Sequence, residues 1–571
     1  MNTSRSRAGT WRTAALAVLL TTGAFAGTVT GSASAESART ETAVGSSGGV
    51  TETVVRVKAP LPASFGARPA ACDWLSYLRY RSSAGPTSSA DADRVLVAQP
   101  GILEGAGAFD SVARNTVARA AQQGRHLEFW ALDRRSNCLE DHTGTASGDQ
   151  HTAVDYYYRG KQVAGRTFAG FVGDDQLGWM ARLGIEQTVR DQYDLLAAEL
   201  PDQKVRKEKV LCGGHSLGGV VTGYFATADF DGNPATTADA GQNQCAGYFA
   251  LDTTVSTSLG DLSGSIPDDT GLPDIGLGYG VVQAGLDSGL FPRSLSAPVL
   301  LNPETMNLLA IAGVGAVQDP DGESDLPDYL PRNTNIEATN RFLFSKDTAT
   351  FLTGSPAVKD FRLTNEAVLG ALMDDQSVPL AFLQSSVGFF DGGAIADKNF
   401  PVANGSSAQP GLFGTEYKAI PAEPHGPLYS WRDYDRVGDA DDPGYRSSDG
   451  TPFTAAGKEV TDIQELARSM GTQPLDFTEQ YFPTKLVTDL ELSTSPQVKR
   501  LAVHPDGLTA RPTLTVLAGD GLLAGRIPAD LHPVVADGYQ HLDVLTAAPV
   551  QNNGRPEPVS TALTGFAADP R

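Results

Sequence analysis

One segment constrains this chain more than any other. Lys209-Val210-Leu211-Cys212 is a short apolar run that enters Gly213-Gly214-His215-Ser216-Leu217-Gly218-Gly219 without a spacer. An apolar, helix-compatible stretch from Val220 to Ala228 follows at once. A strand that passes into a helix through one sharp turn needs small residues on both sides of the turn, and the glycines supply them. The same five-residue pattern, Gly-x-Ser-x-Gly, recurs at Gly45-Ser46-Ser47-Gly48-Gly49. No apolar strand precedes that second copy, so only Ser216 has the strand-turn-helix setting.

The surrounding sequence repeats the alternation. Thr53–Val57, Leu75–Arg81, Arg94–Ala98, His126–Leu132 and Tyr248–Leu251 read as strands, and Ala108–Gln123 and Gln176–Leu200 as helices. Alternating strands and helices predict a mostly parallel sheet covered on both faces. From Asp252 to Pro512 the strand signals weaken and helical ones take over. Asn302-Pro303-Glu304 reads as a cap with proline at the first helical position, leading into Met306–Val317. Thr364–Leu372 and Leu380–Val387 read as apolar helical stretches. Thr513–Leu517 then resumes the buried-strand signature.

Gly214-His215-Ser216-Leu217-Gly218-Gly219, set between strand and helix, resembles the nucleophile elbow of the α/β-hydrolase superfamily, in a form seen among its lipases, esterases and thioesterases. The resemblance spans about residues 50–255 and 504–549. It implies an α/β-hydrolase core with a mostly parallel sheet, and a large, mainly helical cap inserted between two parts of the core. The expected division is core at 50–255 and 505–571, with the cap at 256–504. The resemblance also implies a serine nucleophile, then an acid after a late strand, then a histidine, and no required cofactor.

Ser216 is the expected nucleophile. Asp520, in Ala518-Gly519-Asp520-Gly521 directly after the strand Thr513–Leu517, is the expected acid, and Asp252, which also ends a strand, is the alternative. Of eight histidines, His541 lies beyond Asp520 in the required order, and His215 within the elbow is expected to point away from the serine. Asp543 stands too near His541 in sequence to orient it. The oxyanion donors are expected to be the backbone N–H of Leu217 and that of Gly101 or Ile102, because Pro100 has none. Together these residues predict hydrolysis of a carboxylic ester, of a lipid or an acylated small molecule, through an acyl-enzyme. A serine peptidase or amidase would use the same triad, and a binding protein on a hydrolase scaffold is the non-enzymatic alternative. Dehalogenase chemistry needs an aspartate where Ser216 stands.

The N-terminus reads as an export signal. Arg5, Arg7 and Arg12 precede an apolar stretch, Thr13–Ala26, that is too short to span a bilayer, and Ala33-Ser34-Ala35 is a cleavage motif. Residues 1–35 are therefore the expected signal peptide, and polar, Ser/Gly-rich 36–49 a flexible leader. No later apolar run is long enough to cross a membrane, so a secreted monomer is expected. Its four cysteines suit two disulfides, Cys212–Cys245 by strand adjacency and Cys72–Cys138 by remainder. A formal charge of −23 repels phosphate backbones and argues against nucleic acid as partner. Asp229-Phe230-Asp231-Gly232-Asn233, followed by Asp239, resembles the start of a calcium loop but lacks the distal glutamate. A solvated acidic turn is the expected reading there, and a structural calcium ion the alternative.

Overall fold

Residues with apolar runs too short for helices assemble into one central sheet. The computed structural model describes residues 38–258, 278–296, 301–406, 410–439, 441–491, 495–525 and 531–569. The expected signal peptide lies outside the described residues. Fourteen strands occur among them: β1 (Arg39–Ser47), β2 (Val50–Lys58), β3 (Trp74–Ser82), β4 (Arg94–Gln99), β5 (Leu127–Asp133), β6 (Val210–His215), β7 (Gly247–Leu251), β8 (Arg362–Leu363), β9 (Gly388–Asp391), β10 (Ile395–Asp397), β11 (Ala419–Pro421), β12 (Leu428–Asp433), β13 (Thr513–Ala518) and β14 (Val534–Ala536).

Nine of them form the main sheet in the order β1-β2-β3-β5-β4-β6-β7-β13-β14. The pairs from β5 through β14 are parallel, and β1, β2 and β3 add antiparallel at one side. Strands β4, β6 and β7 are buried on both faces, which is why they read as unbroken apolar or glycine runs rather than alternating ones. The parallel arrangement brings the carboxyl ends of β4, β5, β6, β7, β13 and β14 to one edge, where α/β folds build their sites.

Three expectations change. Residues 39–47 are not a flexible leader: they form β1, paired antiparallel with β2 with a register shift between Ala43 and Gly45, and joined to it by the two-residue turn Gly48-Gly49, with φ of 57° and 79°. A turn with positive φ at both positions matches the twist of a hairpin, and Gly-Gly adopts it without steric cost. The core thus begins at Arg39 rather than at residue 50. Second, the predicted long helix at 176–200 starts only at Ile185. Gly184 precedes it in extended backbone after short 3-10 turns, and a side chain there would meet Asp489 Oδ2 at 1.9 Å, so only glycine fits. Third, Leu380–Val387 is a single 3-10 turn, Ala381–Leu383, followed by extended chain whose polar groups are used elsewhere.

Between β7 and β13 the described chain is mainly helical, with two small sheets, β8-β12-β9 and β10-β11. Asn302 caps the helix Pro303–Gln318 by accepting the Thr305 N–H at 3.0 Å, as expected of Asn-Pro. Leu369, Leu372, Met373 and Phe389 are buried in the same hydrophobic cluster as the main sheet. The hydrophobic core of the main sheet therefore continues into the inserted region. No described helix is long and apolar enough to cross a membrane.

Candidate active site

Strand β6 delivers His215 and Ser216 to the shared edge. Ser216 has φ 52° and ψ −121°, and the helix Leu217–Thr227 starts at the next residue. A non-glycine residue in that region is strained by about 1–3 kcal/mol and persists only where its surroundings enforce it. Here they do. Ser216 N–H donates to Leu251 O at 3.1 Å, and Gly219 N–H donates to Ser216 O at 3.0 Å. A Cβ at Gly218 would sit 2.1 Å from Gln99 O, so no other residue fits against β4.

Asp252 directly follows neighbouring β7 and is itself at φ 42°. Its Oδ2 lies 2.6 Å from His541 Nδ1. Its carboxylate also accepts the backbone N–H of Ala518 and of Leu522, each at 3.1 Å. An ionised carboxylate accepts only, so Nδ1 carries the proton and Nε2 is left as the basic nitrogen of His541. Asp252 is fully buried and His541 is 2% exposed.

The acid partner of His541 is thus Asp252 and not the expected Asp520. The reason lies in the register: Val516 of β13 pairs with Leu251 of β7, so the turn after β13 folds over the Asp252 carboxylate. Asp520 is exposed, and its N–H donates to Tyr539 O at 2.9 Å. Although much of the residue is exposed, the desolvation its carboxyl does meet, with the nearby Glu416 charge, raises its pKa above the usual carboxylate value. Gly521 is the residue that matters in that turn, since a Cβ there would lie 2.4 Å from Asp252 Oδ2.

The expected oxyanion donors also separate. Leu217 is the first residue of its helix, where backbone N–H groups have no intrahelical partner and the helix dipole favours negative charge. Gly101 is removed from the set: its N–H donates to Glu104 Oε2 at 2.6 Å. Of the expected alternatives for the second donor, that leaves Ile102 as the candidate. The loop that carries it is clamped. Arg134 donates to Pro100 O at 2.9 Å and also to Gly101 O, and pairs with buried Glu479 at 2.7 Å. Glu479 N–H in turn donates to Leu103 O at 2.8 Å.

Asp543, set aside from the triad on sequence grounds, holds the histidine turn rather than the imidazole. It accepts from Gln540 N–H (2.7 Å), Ser386 N–H (2.8 Å), Ser385 Oγ (2.9 Å) and Thr461 Oγ1 (2.9 Å). Both the oxyanion loop and the His541 turn are therefore fastened to the inserted region. Burial, reinforced by His215, lowers the His541 pKa below the usual histidine value, against the opposing pull of Asp252. Glu104, Arg134 and Glu479 went unread in the sequence, where nothing local distinguishes a buried charge in a loop from a solvated one.

The cysteines are paired Cys72–Cys138 and Cys212–Cys245, tying the segment before β3 to that after β5, and β6 to the approach of β7. Asp229, Asp231 and Asp239 converge, but their oxygens accept backbone N–H groups of Phe230, Asp231, Gly232 and Asn233 at 2.6–2.8 Å. That is an acidic turn satisfied by its own backbone.

An elbow serine at the carboxyl end of a central parallel strand, with a carboxylate–histidine pair in the loops at the same sheet edge, is the arrangement of the α/β-hydrolase fold. No protein-family model matches the chain, and no curated protein matches it by sequence. Among solved structures it is similar to a laboratory-evolved variant of potato epoxide hydrolase (9% identity, 93% of this chain and 99% of that one, TM-score 0.27). It is also similar to a peroxisomal alpha-beta-hydrolase of Saccharomyces cerevisiae (11%, 91% and 89%, 0.28). A third similar structure is an epoxide hydrolase of Vigna radiata (12%, 92% and 99%, 0.29). At these scores the likenesses carry no argument about chemistry, which has to come from the site.

Proposed function

We propose that this protein is an exported serine hydrolase of carboxylic esters. The observation that carries the reading is the 2.6 Å contact between Asp252 and His541 beside a serine held in a strained elbow. In this reading Ser216 Oγ attacks the ester carbonyl carbon and His541 Nε2 takes its proton. Asp252 keeps the imidazole in the right tautomer and stabilises the imidazolium. The negative oxygen of the tetrahedral intermediate is held by the N–H groups of Leu217 and Ile102. His541 then protonates the leaving alcohol, and water, deprotonated by the same histidine, releases the acid from Ser216. No cofactor takes part.

The N-terminal signal and the two disulfides support an extracellular setting. The substrate class is a lipid or an acylated small molecule. Labelling with a fluorophosphonate followed by peptide mapping tests the reading. The label should fall on Ser216, and Ser216→Ala should lose both label and turnover of p-nitrophenyl esters by several orders of magnitude. Labelling elsewhere, or turnover retained in a folded Ser216→Ala protein, refutes it. A faster reaction on matched anilides than on esters would move the assignment to an amidase.

A further inference from the structure

The residue before the nucleophile has no part in the triad, yet it is wholly buried. The His215 ring packs against the His541 ring, with centroids 4.4 Å apart and the planes tilted by 38°. Its Nδ1 lies 2.7 Å from Glu104 Oε1, and its Nε2 lies 2.9 Å from the backbone carbonyl oxygen of His541. Both partners are acceptors. A neutral imidazole has only one N–H, so satisfying both requires the doubly protonated ring. The other Glu104 oxygen accepts Gly101 N–H at 2.6 Å. One continuous chain of bonds thus runs from the loop after β4, through the elbow, to the backbone of the histidine in the triad.

Resting on the serine-hydrolase reading, we propose that Glu104 and His215 are positioning residues. They form a buried ion pair that couples the Pro100–Glu104 loop to the His541 turn and sets a fixed positive charge beside the imidazole that must accept the serine proton. The groups facing His215 are Glu104 from the loop after β4, Asp252 from the end of β7 and His541 from the turn after β14. Those facing His541 are Asp252, His215 and Glu104. Burial alone would strip His215 of its charge, but Glu104, Asp252 and the His541 carbonyl outweigh it and raise its pKa. Burial opposes the Glu104 charge in the same way, and His215, His541 and the Gly101 N–H together lower its pKa regardless. The positive ring disfavours a second positive ring packed against it, so His541 stays a free base further into acid.

The test is ring-nitrogen NMR with the full-length protein, joined to pH–rate profiles on p-nitrophenyl acetate. In the wild type, both His215 nitrogens should still carry protons at a pH where a free imidazole has largely lost one; a neutral His215 at pH 7 overturns the proposal. His215→Gln keeps a donor for the His541 carbonyl but removes the charge. Its His541 titration, and the acid limb of its kcat/KM profile, should move up by about one pH unit or more. A lower rate with an unmoved titration would mean that His215 only fills space, and would also overturn it. Should His215→Gln fail to fold, the wild-type protonation state still decides. If the His541 titration moves as stated while the wild type hydrolyses no ester, the pair stands and the serine-hydrolase reading falls.

Discussion

Gly521→Ala probes the site through a residue that touches neither substrate nor imidazole. A Cβ at this position would lie 2.4 Å from Asp252 Oδ2 and 2.6 Å from Ala518 Cβ, both closer than van der Waals contact allows. Either the Asp252 carboxylate or the 518–522 turn has to move by about 1 Å. The carboxylate holds His541 at 2.6 Å and receives the N–H groups of Ala518 and Leu522, so either shift weakens all three bonds. A misplacement on that scale costs about 100-fold in rate, and outright loss of the tautomer-setting partner about 10,000-fold. The expected loss in kcat/KM is between those limits, about 3–5 kcal/mol in transition-state stabilisation. Stability should change less: overpacking costs about 1–3 kcal/mol, and replacing glycine recovers up to about 1 kcal/mol from the unfolded chain. Steady-state kinetics on a short p-nitrophenyl ester, with thermal unfolding of the same samples, separates the two effects. A Gly521→Ala protein with wild-type kcat/KM would refute the placement of Asp252 under this turn.

Three other outcomes follow from the structure. Glu459 is fully buried and its carboxyl is pushed up to about 8, mainly by burial. Its folded pKa lies above its unfolded one, so its contribution to stability is complete below about pH 4.5 and is lost as pH rises through about 8; the Tm of Glu459→Gln should gain on the wild type between pH 5 and 8, and a constant difference would contradict this. Replacing Cys72 and Cys138 together by serine opens a loop of 66 residues and should destabilise by about 4 kcal/mol in denaturant titration, with no effect expected if the pair is reduced in the native protein. Asp543→Ala strands four buried donors and should lower stability by about 3 kcal/mol or more and kcat as well, read by calorimetry and ester turnover; retention of both would mean that the His541 turn does not depend on the inserted region.

What could be read in the sequence was what is fixed locally. The elbow is legible because a strand entering a helix through Ser216 demands small neighbours, and His541 because its place in chain order leaves few rivals. The choice between Asp252 and Asp520 is not local. Both follow a strand, and only the register of β13 on β7 decides which carboxylate is covered by the turn and which is left in solvent. Strand β1 was hidden for a related reason: its nine residues are all exposed, so no apolar pattern marks them, and they are ordered by pairing with β2. The apolar residues of the inserted region announced burial but not against what. Glu104 was illegible because its partners, Gly101 apart, come from β6, far along the chain.

In the proposed mechanism Ser216 is driven by His541 and Asp252. The most direct measurement is kcat/KM for Asp252→Asn and Asp520→Asn in one ester assay, with both proteins shown to unfold at the wild-type temperature. Asp252→Asn should lose about 10,000-fold, because the amide holds the imidazole in the wrong tautomer. Asp520→Asn, altering an exposed side chain, should stay within about 3-fold. The reverse order would contradict the account, and equal, small losses in both would remove the carboxylate from the mechanism altogether.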